Sequence, residues 1–314
     1  MTPRHYTSAL DLSQDETLEV LDLAAKLKRD WNKKRKGLKR LRGYTLASIY
    51  EKPSLRTRVT FEAGMTQLGG HSIYLGPQDI QLGKRESVAD VARNLSRWVQ
   101  IISARTFSHN TIMELAEYST VPVINALSDL EHPCQALADY LTLRERLGRL
   151  QGARLAYIGD GNNVAHSLML MGALLGVHVT IATPEGYAPQ RETIEQAQRL
   201  ADEYDSTINV TWDPREAVQG ADVVYTDVWT SMGQENEADA RRGIFASYQV
   251  TQDLIQASGN PETIFMHCLP AHRGEEVAAD VIDGPRSAIF DEAENRLHVQ
   301  KALILWLLEQ STSH

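Results

Sequence analysis

Cysteine is scarce in this sequence of 314 residues, which contains only Cys134 and Cys268. Two cysteines are too few for a disulfide framework, which excludes the small disulfide-stabilised secreted folds. The sequence also lacks an apolar run long enough to cross a bilayer, and residues 1–6 lack the apolar core of a signal peptide. These absences predict a cytoplasmic protein that does not bind membranes.

Positive charge is in the minority, because 32 Lys and Arg residues face 41 Asp and Glu residues, a formal net charge of −9. This balance argues against nucleic acid as a partner. No pair of histidines and cysteines has the spacing of a zinc knuckle, so no metal site is predicted. Gly159-Asp160-Gly161 lacks the third glycine of a dinucleotide fingerprint, since Val164 stands there. The sequence therefore predicts no cofactor.

Short apolar runs alternate with helix-period segments through the whole chain, a pattern that predicts parallel sheets with helices on both faces. The predicted strands are Leu46–Glu51, Ser72–Leu75, Gln100–Arg105, Val121–Ala126, Leu155–Asp160, His178–Ala182, Thr207–Thr211, Val223–Thr226, Thr263–Met266 and Ala288–Phe290. Helices are predicted from near Ser54, Ser87 and Thr111, over His132–Leu147, after Asp160, and, with an amphipathic pattern, over Arg296–Leu308.

The length and the 42% hydrophobic content fit two domains of ordinary size. A break is predicted near Gly148–Gly152, where glycines punctuate the chain. We predict two doubly wound α/β domains, residues 1–148 and 149–295, with a C-terminal helix, residues 296–314, that packs back on the first domain. Ligands of such sheets bind beyond the carboxyl ends of the strands.

An anion-binding motif, Ser54-Leu55-Arg56-Thr57-Arg58, follows the first predicted strand and opens a helix. Hydroxyls, guanidiniums and free backbone N–H groups at a helix N-terminus favour a phosphate ligand. The alternative is a helix cap with surface arginines. The motif is not a P-loop, because it has no glycine-rich stretch.

A second motif, His132-Pro133-Cys134-Gln135, follows the strand Val121–Ala126, and Pro133 is a helix-start signal. His132 and Gln135 can reach one ligand from that helix start, although a lone histidine is equally well interpreted as structural. Arg105, at the end of another predicted strand, makes a ligand site the more pointed interpretation.

Two further motifs lie in the second half. Asp227-Val228-Trp229-Thr230-Ser231-Met232-Gly233 leaves the strand Val223–Thr226 and is, on its own, a surface turn or a ligand loop. His267-Cys268-Leu269-Pro270 ends the strand Thr263–Met266. An acidic residue at a strand end suits a ligand cation, and on its own a free thiol at a strand end is a candidate nucleophile.

Taken together and in this order, the four motifs resemble the active site of the ornithine branch of the carbamoyltransferase family. Many members carry Thr where this chain has Leu55, and Glu51-Lys52-Pro53 resembles the ornithine branch more than the aspartate branch. The resemblance implies transfer of the carbamoyl group of carbamoyl phosphate to the δ-amine of L-ornithine, which gives L-citrulline and phosphate in arginine metabolism.

The resemblance also implies a role for each motif residue. The residues implied to bind carbamoyl phosphate are Ser54, Leu55, Arg56, Thr57, Gln81, Arg105, His132, Pro133, Cys134, Gln135, Cys268, Leu269 and Arg296. Those implied to act in catalysis are Arg105, His132, Gln135 and Cys268, and those implied to bind ornithine are Asn163, Asp227, Ser231 and Met232. Gln81 would reach a neighbouring subunit of a homotrimer or a multiple of trimers.

Three alternatives stay open at this point. The acceptor is another amine, such as putrescine or N-acetylornithine; or the chain is a non-catalytic sensor that keeps the phosphate site; or it is a dehydrogenase. The completeness of the motifs disfavours the sensor, and the broken glycine pattern disfavours the dehydrogenase.

Overall fold

The computed structural model describes residues 3–34, 37–230 and 235–312. The chain forms two compact units, unit 1 with residues 1–138 and 294–314, and unit 2 with residues 139–293. The domain boundary after residue 148 stays a prediction. No helix within the described ranges combines the length and the apolarity that a bilayer span needs.

Unit 1 contains one parallel sheet with the strand order β2-β1-β3-β4. Its strands are β1 Thr45–Tyr50, β2 His71–Leu75, β3 Ile101–Arg105 and β4 Val123–Leu127. The helices of the first 147 residues are α1 Gln14–Lys34, α2 Leu55–Leu68, α3 Pro77–Ile80, α4 Val88–Trp98, α5 His109–Tyr118 and α6 Pro133–Leu147. The last of them, α6, continues into unit 2. The three strands β1, β3 and β4 are almost wholly buried, which is why they are continuous apolar runs in the sequence.

Unit 2 contains a second parallel sheet, with the order β7-β6-β5-β8-β9. Its strands are β5 Arg154–Ile158, β6 His178–Ala182, β7 Ile208–Thr211, β8 Val223–Thr226 and β9 Ile264–His267. The remaining helices are α7 Asn163–Leu174, α8 Arg191–Glu203, α9 Pro214–Ala217, α10 Ala238–Phe245, α11 Gln252–Gln256, α12 Ala279–Ile282 and α13 Ile289–Thr312. Two parallel-sheet α/β units therefore confirm the predicted fold class.

The prediction of a strand over Ala288–Phe290 is wrong. Helix α13 begins at Ile289, and Ser287 makes only an isolated bridge to Phe265. A three-residue apolar run does not distinguish a strand from a helix start, whereas the acidic Asp291 and Glu292 that follow favour the first turn of a helix.

The last helix also differs from its prediction. It begins at Ile289 rather than Arg296, and every residue from 298 to 308 is buried, so it is not amphipathic. Within unit 1, Lys301 Nζ donates to Gln67 Oε1 at 2.8 Å and Trp306 Nε1 donates to Glu19 Oε2 at 3.2 Å. These contacts confirm that the C-terminal helix packs on the first unit.

The order of each sheet reverses once, between β1 and β3 in unit 1 and between β5 and β8 in unit 2. Tyr50 is level with Arg105 in the first sheet, and Thr226 is level with both Ile158 and His267 in the second. Ligands of open parallel sheets bind beyond the carboxyl ends of the strands at such a reversal. The anion motif follows β1 and the Asp227 motif follows β8, each at a reversal, whereas the His132 and His267 motifs follow the edge strands β4 and β9.

We expect Gly172→Ala to destabilise unit 2. A Cβ at Gly172 in α7 would overlap the Tyr140 hydroxyl and lie 2.6 Å from Val179 Cγ2 in β6. Overpacking of this kind lowers the free energy of unfolding by about 1–3 kcal/mol. Chemical denaturation with a linear extrapolation measures the change.

The matched control is Gly243→Ala in α10, where the added Cβ meets no described atom within 4 Å apart from its chain neighbours and the adjoining backbone of its own helix. That exchange should raise the unfolding free energy by up to about 1 kcal/mol, because alanine is the better helix former. Equal changes in the two variants would contradict the packing argument.

Candidate active site

The N-terminus of α2 carries the predicted anion motif. Ser54 is the N-cap residue in an extended conformation, and its side chain makes no capping hydrogen bond. The cap alternative therefore does not account for the Ser54 hydroxyl. Leu55 is 74% exposed, whereas Thr57 in the same turn is buried. Because the first N–H groups of a helix have no partner within it, this end of α2 can receive an anion.

Three polar side chains from separate elements meet near this helix start. Arg296 of α13 donates one guanidinium N–H to Gln135 Oε1 of α6 and another, at 2.9 Å, to Thr57 Oγ1 of α2. All three residues are buried within unit 1. The fold thus brings together Thr57, Gln135 and Arg296, which are far apart in sequence. These donors and acceptors can turn to a ligand that carries both a phosphate and an amide.

His132 lies close to the positively charged side chains of unit 1. Burial lowers the pKa of His132 well below its ordinary value, and the charges of Arg296, Arg105 and Arg56 lower it further. The imidazole is therefore neutral at neutral pH, and three guanidiniums supply the positive charge. A neutral imidazole still donates one hydrogen bond, as a developing oxyanion requires.

Three other predicted residues of unit 1, Cys134, Pro133 and Gln81, do not take part in these contacts with Arg296. The Cys134 thiol donates to the backbone carbonyl of Asn125 at 3.4 Å, and burial raises its pKa to about 12. Its neighbour Pro133 accepts a hydrogen bond from the Tyr6 hydroxyl at its carbonyl, at 3.4 Å. Gln81 is exposed just after α3, with a φ of 45° in the left-handed region.

Asp227 lies at the centre of a polar cluster of unit 2 that includes Asn162 and Cys268. Its Oδ1 accepts from the Cys268 thiol at 3.1 Å and from the Val228 N–H at 2.8 Å. Its Oδ2 accepts from Asn162 Nδ2 at 2.9 Å. Asn162 also caps α7, because its Oδ1 accepts from the Val164 N–H at 2.9 Å. The carboxylate is thus fixed and 6% exposed, in position to meet an ammonium group.

Sequence reasoning named Asn163 and missed Asn162, which is the residue that contacts Asp227. Asn163 begins α7 and is partly exposed beside it. An asparagine directly before an apolar helix pattern is an N-cap signal that could have identified Asn162. Ser231 and Met232 lie outside the described residues.

The start of the loop after Asp227 is anchored by Arg241. The Arg241 guanidinium forms a buried ion pair with Asp160 and donates from Nε to the Trp229 carbonyl at 2.5 Å. Burial raises the pKa of Asp160 to about 6; the Arg241 charge opposes this shift and the Asp227 charge adds to it. Sequence reasoning missed Arg241 because no motif marks it.

The turn after β9 is held by His267. The buried His267 ring accepts the Leu269 N–H at Nδ1, at 2.8 Å, so its proton lies on Nε2 and is donated to Glu276 Oε1 at 3.1 Å. Leu269 has a φ of 60°, which an L side chain rarely adopts, and this contact stabilises it. Glu276, which sequence reasoning missed, also accepts the His272 N–H at 2.6 Å.

Asp227, His267 and Cys268 lie close enough to share a metal ion, as do His272, Glu275 and Glu276. In the first cluster both ring nitrogens of His267 form hydrogen bonds, one with Leu269 and one with Glu276, and the Cys268 thiol donates a hydrogen bond to Asp227. These contacts leave that histidine poorly suited to be a ligand, and the absence of a metal site stays a prediction.

The Gly-Asp-Gly sequence after β5 serves chain packing. A Cβ at Gly161 would overlap the backbone of Ala188 and Pro189, and the Gly161 N–H donates to the Tyr187 carbonyl at 2.9 Å. The second glycine of the pattern is therefore explained by a close approach of the chain itself.

Comparison with known proteins covers both units. The family model described as "Aspartate/ornithine carbamoyltransferase, carbamoyl-P binding domain" matches residues 4–145, and the model described as "Aspartate/ornithine carbamoyltransferase, Asp/Orn binding domain" matches residues 151–307. The chain is 55% identical over 309 residues to a protein of Symbiobacterium thermophilum named ornithine carbamoyltransferase, which covers 97% of this chain and 98% of that protein.

Solved structures of ornithine carbamoyltransferases are also similar to this chain over nearly its whole length. The structure of ornithine carbamoyltransferase from Pyrococcus furiosus is similar with a TM-score of 0.94 and 51% identity, covering 98% of each chain. The anabolic ornithine carbamoyltransferase from Campylobacter jejuni has a TM-score of 0.91 and 39% identity, covering 98% of this chain and 99% of that one.

We expect Cys268 to resist alkylation until its partner is changed. Burial raises the pKa of the thiol well above its ordinary value, and the charge of Asp227 and the hydrogen bond to it raise the pKa further. Asp227→Asn removes that charge, so the thiolate fraction at pH 8 and the rate of iodoacetamide labelling should rise about tenfold per unit of restored pKa. Peptide mass spectrometry measures the rate.

The control is Asp283→Asn, which removes a surface carboxylate paired with Arg273. Cys134 gives an internal reference in every sample, since it is fully buried. An unchanged labelling rate of Cys268 in Asp227→Asn would contradict the assigned thiol–carboxylate contact.

Proposed function

Because this chain belongs to the aspartate/ornithine carbamoyltransferase family, we propose that it is an ornithine carbamoyltransferase. The reaction transfers the carbamoyl group of carbamoyl phosphate to the δ-amine of L-ornithine and gives L-citrulline and phosphate. The observation that carries the choice of acceptor is the Asp227 carboxylate, which is held by the Cys268 thiol and the Asn162 amide. Such a fixed carboxylate suits the ammonium group of a free amino acid.

We assign the phosphate of carbamoyl phosphate to the start of α2, where Ser54, Arg56, Thr57 and the Leu55 N–H would hold it. The support is an N-terminus whose cap side chain makes no capping bond and whose exposed first residue leaves room for an anion. A phosphate at this point has the helix dipole and a guanidinium on the same side.

The carbamoyl group would lie against Arg105, His132 and Gln135, with Arg296 closing over it. Negative charge grows on the carbonyl oxygen as an amine attacks, and donors fixed in a site free of water stabilise that charge. Arg296 already donates to Gln135 and Thr57, so those hydrogen bonds would be exchanged for bonds to substrate. Pro133 and Cys134 would contribute packing around the carbamoyl group.

The acceptor's amine must be uncharged before it attacks. Its nitrogen forms the new bond to the carbonyl carbon, and the bond from that carbon to the phosphate oxygen breaks. The released phosphate keeps the electron pair of that bond, and the proton that the nitrogen loses passes to the phosphate. Asp227, Asn163, Ser231 and Met232 would hold the amino-acid head, and Cys268 and Leu269 would face the reacting nitrogen. The Cys268 thiol keeps its proton because burial and Asp227 raise its pKa, so it acts as a neighbour and not as a nucleophile.

We further propose a cytoplasmic homotrimer, or a multiple of trimers, that acts in arginine metabolism, in biosynthesis or in the urea cycle. In this arrangement Gln81 would contact the phosphate held by a neighbouring subunit. The exposure of Gln81 next to α3 supports that role.

An enzyme for another amine, such as putrescine or N-acetylornithine, is the alternative. A citrulline assay with carbamoyl phosphate tests the two, with L-ornithine, putrescine, N-acetylornithine and aspartate compared at equal concentration. We expect turnover with ornithine alone. Turnover with another amine would overturn the assignment of Asp227, and no turnover with any acceptor would favour a binding protein.

We expect Arg56→Ala to weaken the binding of carbamoyl phosphate. A charge-assisted hydrogen bond to phosphate contributes enough for the KM of carbamoyl phosphate to rise about ten- to hundredfold, while the KM of ornithine changes little. Steady-state kinetics with each substrate varied in turn measures both constants.

Arg58→Ala is the matched control, two residues along the same helix. The Arg58 guanidinium donates to Glu62 at 2.8 Å and lies 3.7 Å over the Tyr74 ring, so it is engaged at the surface. The assignment of Arg56 fails if both variants change the KM of carbamoyl phosphate equally, or if neither does.

A further inference from the structure

Two carboxyl groups and a phenol lie together in the interior of unit 2. Tyr225 Oη of β8 lies 3.2 Å from Glu292 Oε1 of α13 and 3.4 Å from Asp139 Oδ2 of α6. The exposed fraction of each residue is 1% or less. The proposed reaction assigns no step to any of the three, and no sequence motif marks Glu292.

The cluster needs a proton beyond that of the tyrosine. The Asp139 and Glu292 carboxyl groups form a hydrogen bond with each other, and ionised carboxylates only accept. The single phenolic proton of Tyr225 can be donated to only one of them. Two buried carboxylates side by side also repel each other, which favours binding one proton between them.

The electrostatic surroundings agree with this proton count. Burial raises the pKa of Glu292 well above its ordinary value, and the Asp139 charge and the hydrogen bond with Asp139 raise it further. The His267 N–H and the Tyr225 hydroxyl act in the opposite direction. After burial and the charge of Asp227, the charges of Glu292 and Asp139 also contribute to the raised pKa of Cys268. A second negative charge on the pair would therefore raise the pKa of Cys268, beside Asp227, still further.

The cluster is connected to the turn that follows β9. Glu292 Oε2 accepts the backbone N–H of His267 at 3.0 Å. The His267 ring in turn accepts the N–H of Leu269, whose backbone is in the left-handed region. Glu292 thus fixes the residue from which Cys268 and Leu269 are presented.

We propose that Asp139 and Glu292 share one proton and that this pair positions the Cys268–Leu269 turn for the amine acceptor. The shared proton leaves one negative charge on the pair instead of two, and it leaves Glu292 Oε2 as the acceptor for His267. Glu292 is a positioning residue, because it acts through His267 rather than on the substrate. The proposal rests on the ornithine carbamoyltransferase activity proposed above.

Kinetics on the full-length protein tests the positioning. In Glu292→Ala the His267 N–H loses its acceptor, and a lost buried hydrogen bond predicts about a tenfold loss in kcat/KM for ornithine. The KM of carbamoyl phosphate should change much less, since its assigned residues in α2, β3 and α6 are untouched and only Cys268 and Leu269 of its assigned set lie in the affected turn. Glu292→Gln keeps an acceptor for His267 and a donor for Asp139, so it should retain the wild-type constants within about twofold.

Infrared difference spectroscopy of wild type against Glu292→Gln, and of wild type against Asp139→Asn, tests the proton itself. A shared proton gives a carboxylic C=O band at neutral pH that both isosteric variants lose, and a purely structural role would not produce this band. The spectra require folded protein but no activity.

The absence of that band in wild type would overturn the shared proton. An unchanged kcat/KM for ornithine in folded Glu292→Ala, or an equal loss for both substrates, would overturn the positioning role. If Glu292→Ala does not fold, Glu292→Gln is compared with Asp139→Ala. An equally large loss of kcat/KM for ornithine in these two variants would then overturn the positioning role. If wild-type protein carbamoylates no amine, the proposed function fails, while the infrared result still decides the proton.

Discussion

The buried carboxylate of Asp227 constrains the polar groups around it in unit 2. A buried charge is costly unless donors surround it, and here the donors are the Cys268 thiol, the Asn162 amide and the Val228 N–H. Two of these donors have a second role. Asn162 caps α7, and the thiol of Cys268 keeps its proton.

Neighbouring charges follow from the same constraint. The Asp227 charge adds to the burial that raises the pKa of Asp160, and the Arg241 guanidinium offsets part of that cost by pairing with Asp160. Arg241 also holds the Trp229 carbonyl, so the residue that neutralises Asp160 fixes the start of the loop after Asp227. In unit 1 the charge around the buried imidazole is positive instead. Burial and, after it, the charges of the surrounding guanidiniums lower the pKa of His132, so its imidazole is neutral.

The strands could be predicted because a strand of a parallel sheet is a short buried apolar run, and the motifs could be found because they follow such runs. The failures have a common cause. Glu292, Arg241 and Asn162 act through contacts that span 25, 81 and 65 residues of sequence. No local pattern records which distant group a buried polar side chain will meet. The last helix was misjudged for the same reason, since residues on every side of it, including Gln300 and Lys301, are buried by other parts of the chain.

The protonation states of the site suit a donor that is already activated. Carbamoyl phosphate is a mixed anhydride with phosphate as its leaving group, so no covalent intermediate is needed, and a protonated Cys268 costs the reaction nothing. What remains for the protein is to hold the phosphate, to stabilise charge on the carbonyl oxygen and to aim an uncharged amine. In the proposed assignment, the guanidiniums and the neutral imidazole of unit 1 and the hydrogen-bonded turn of unit 2 would perform these tasks without changing their own charge during the reaction.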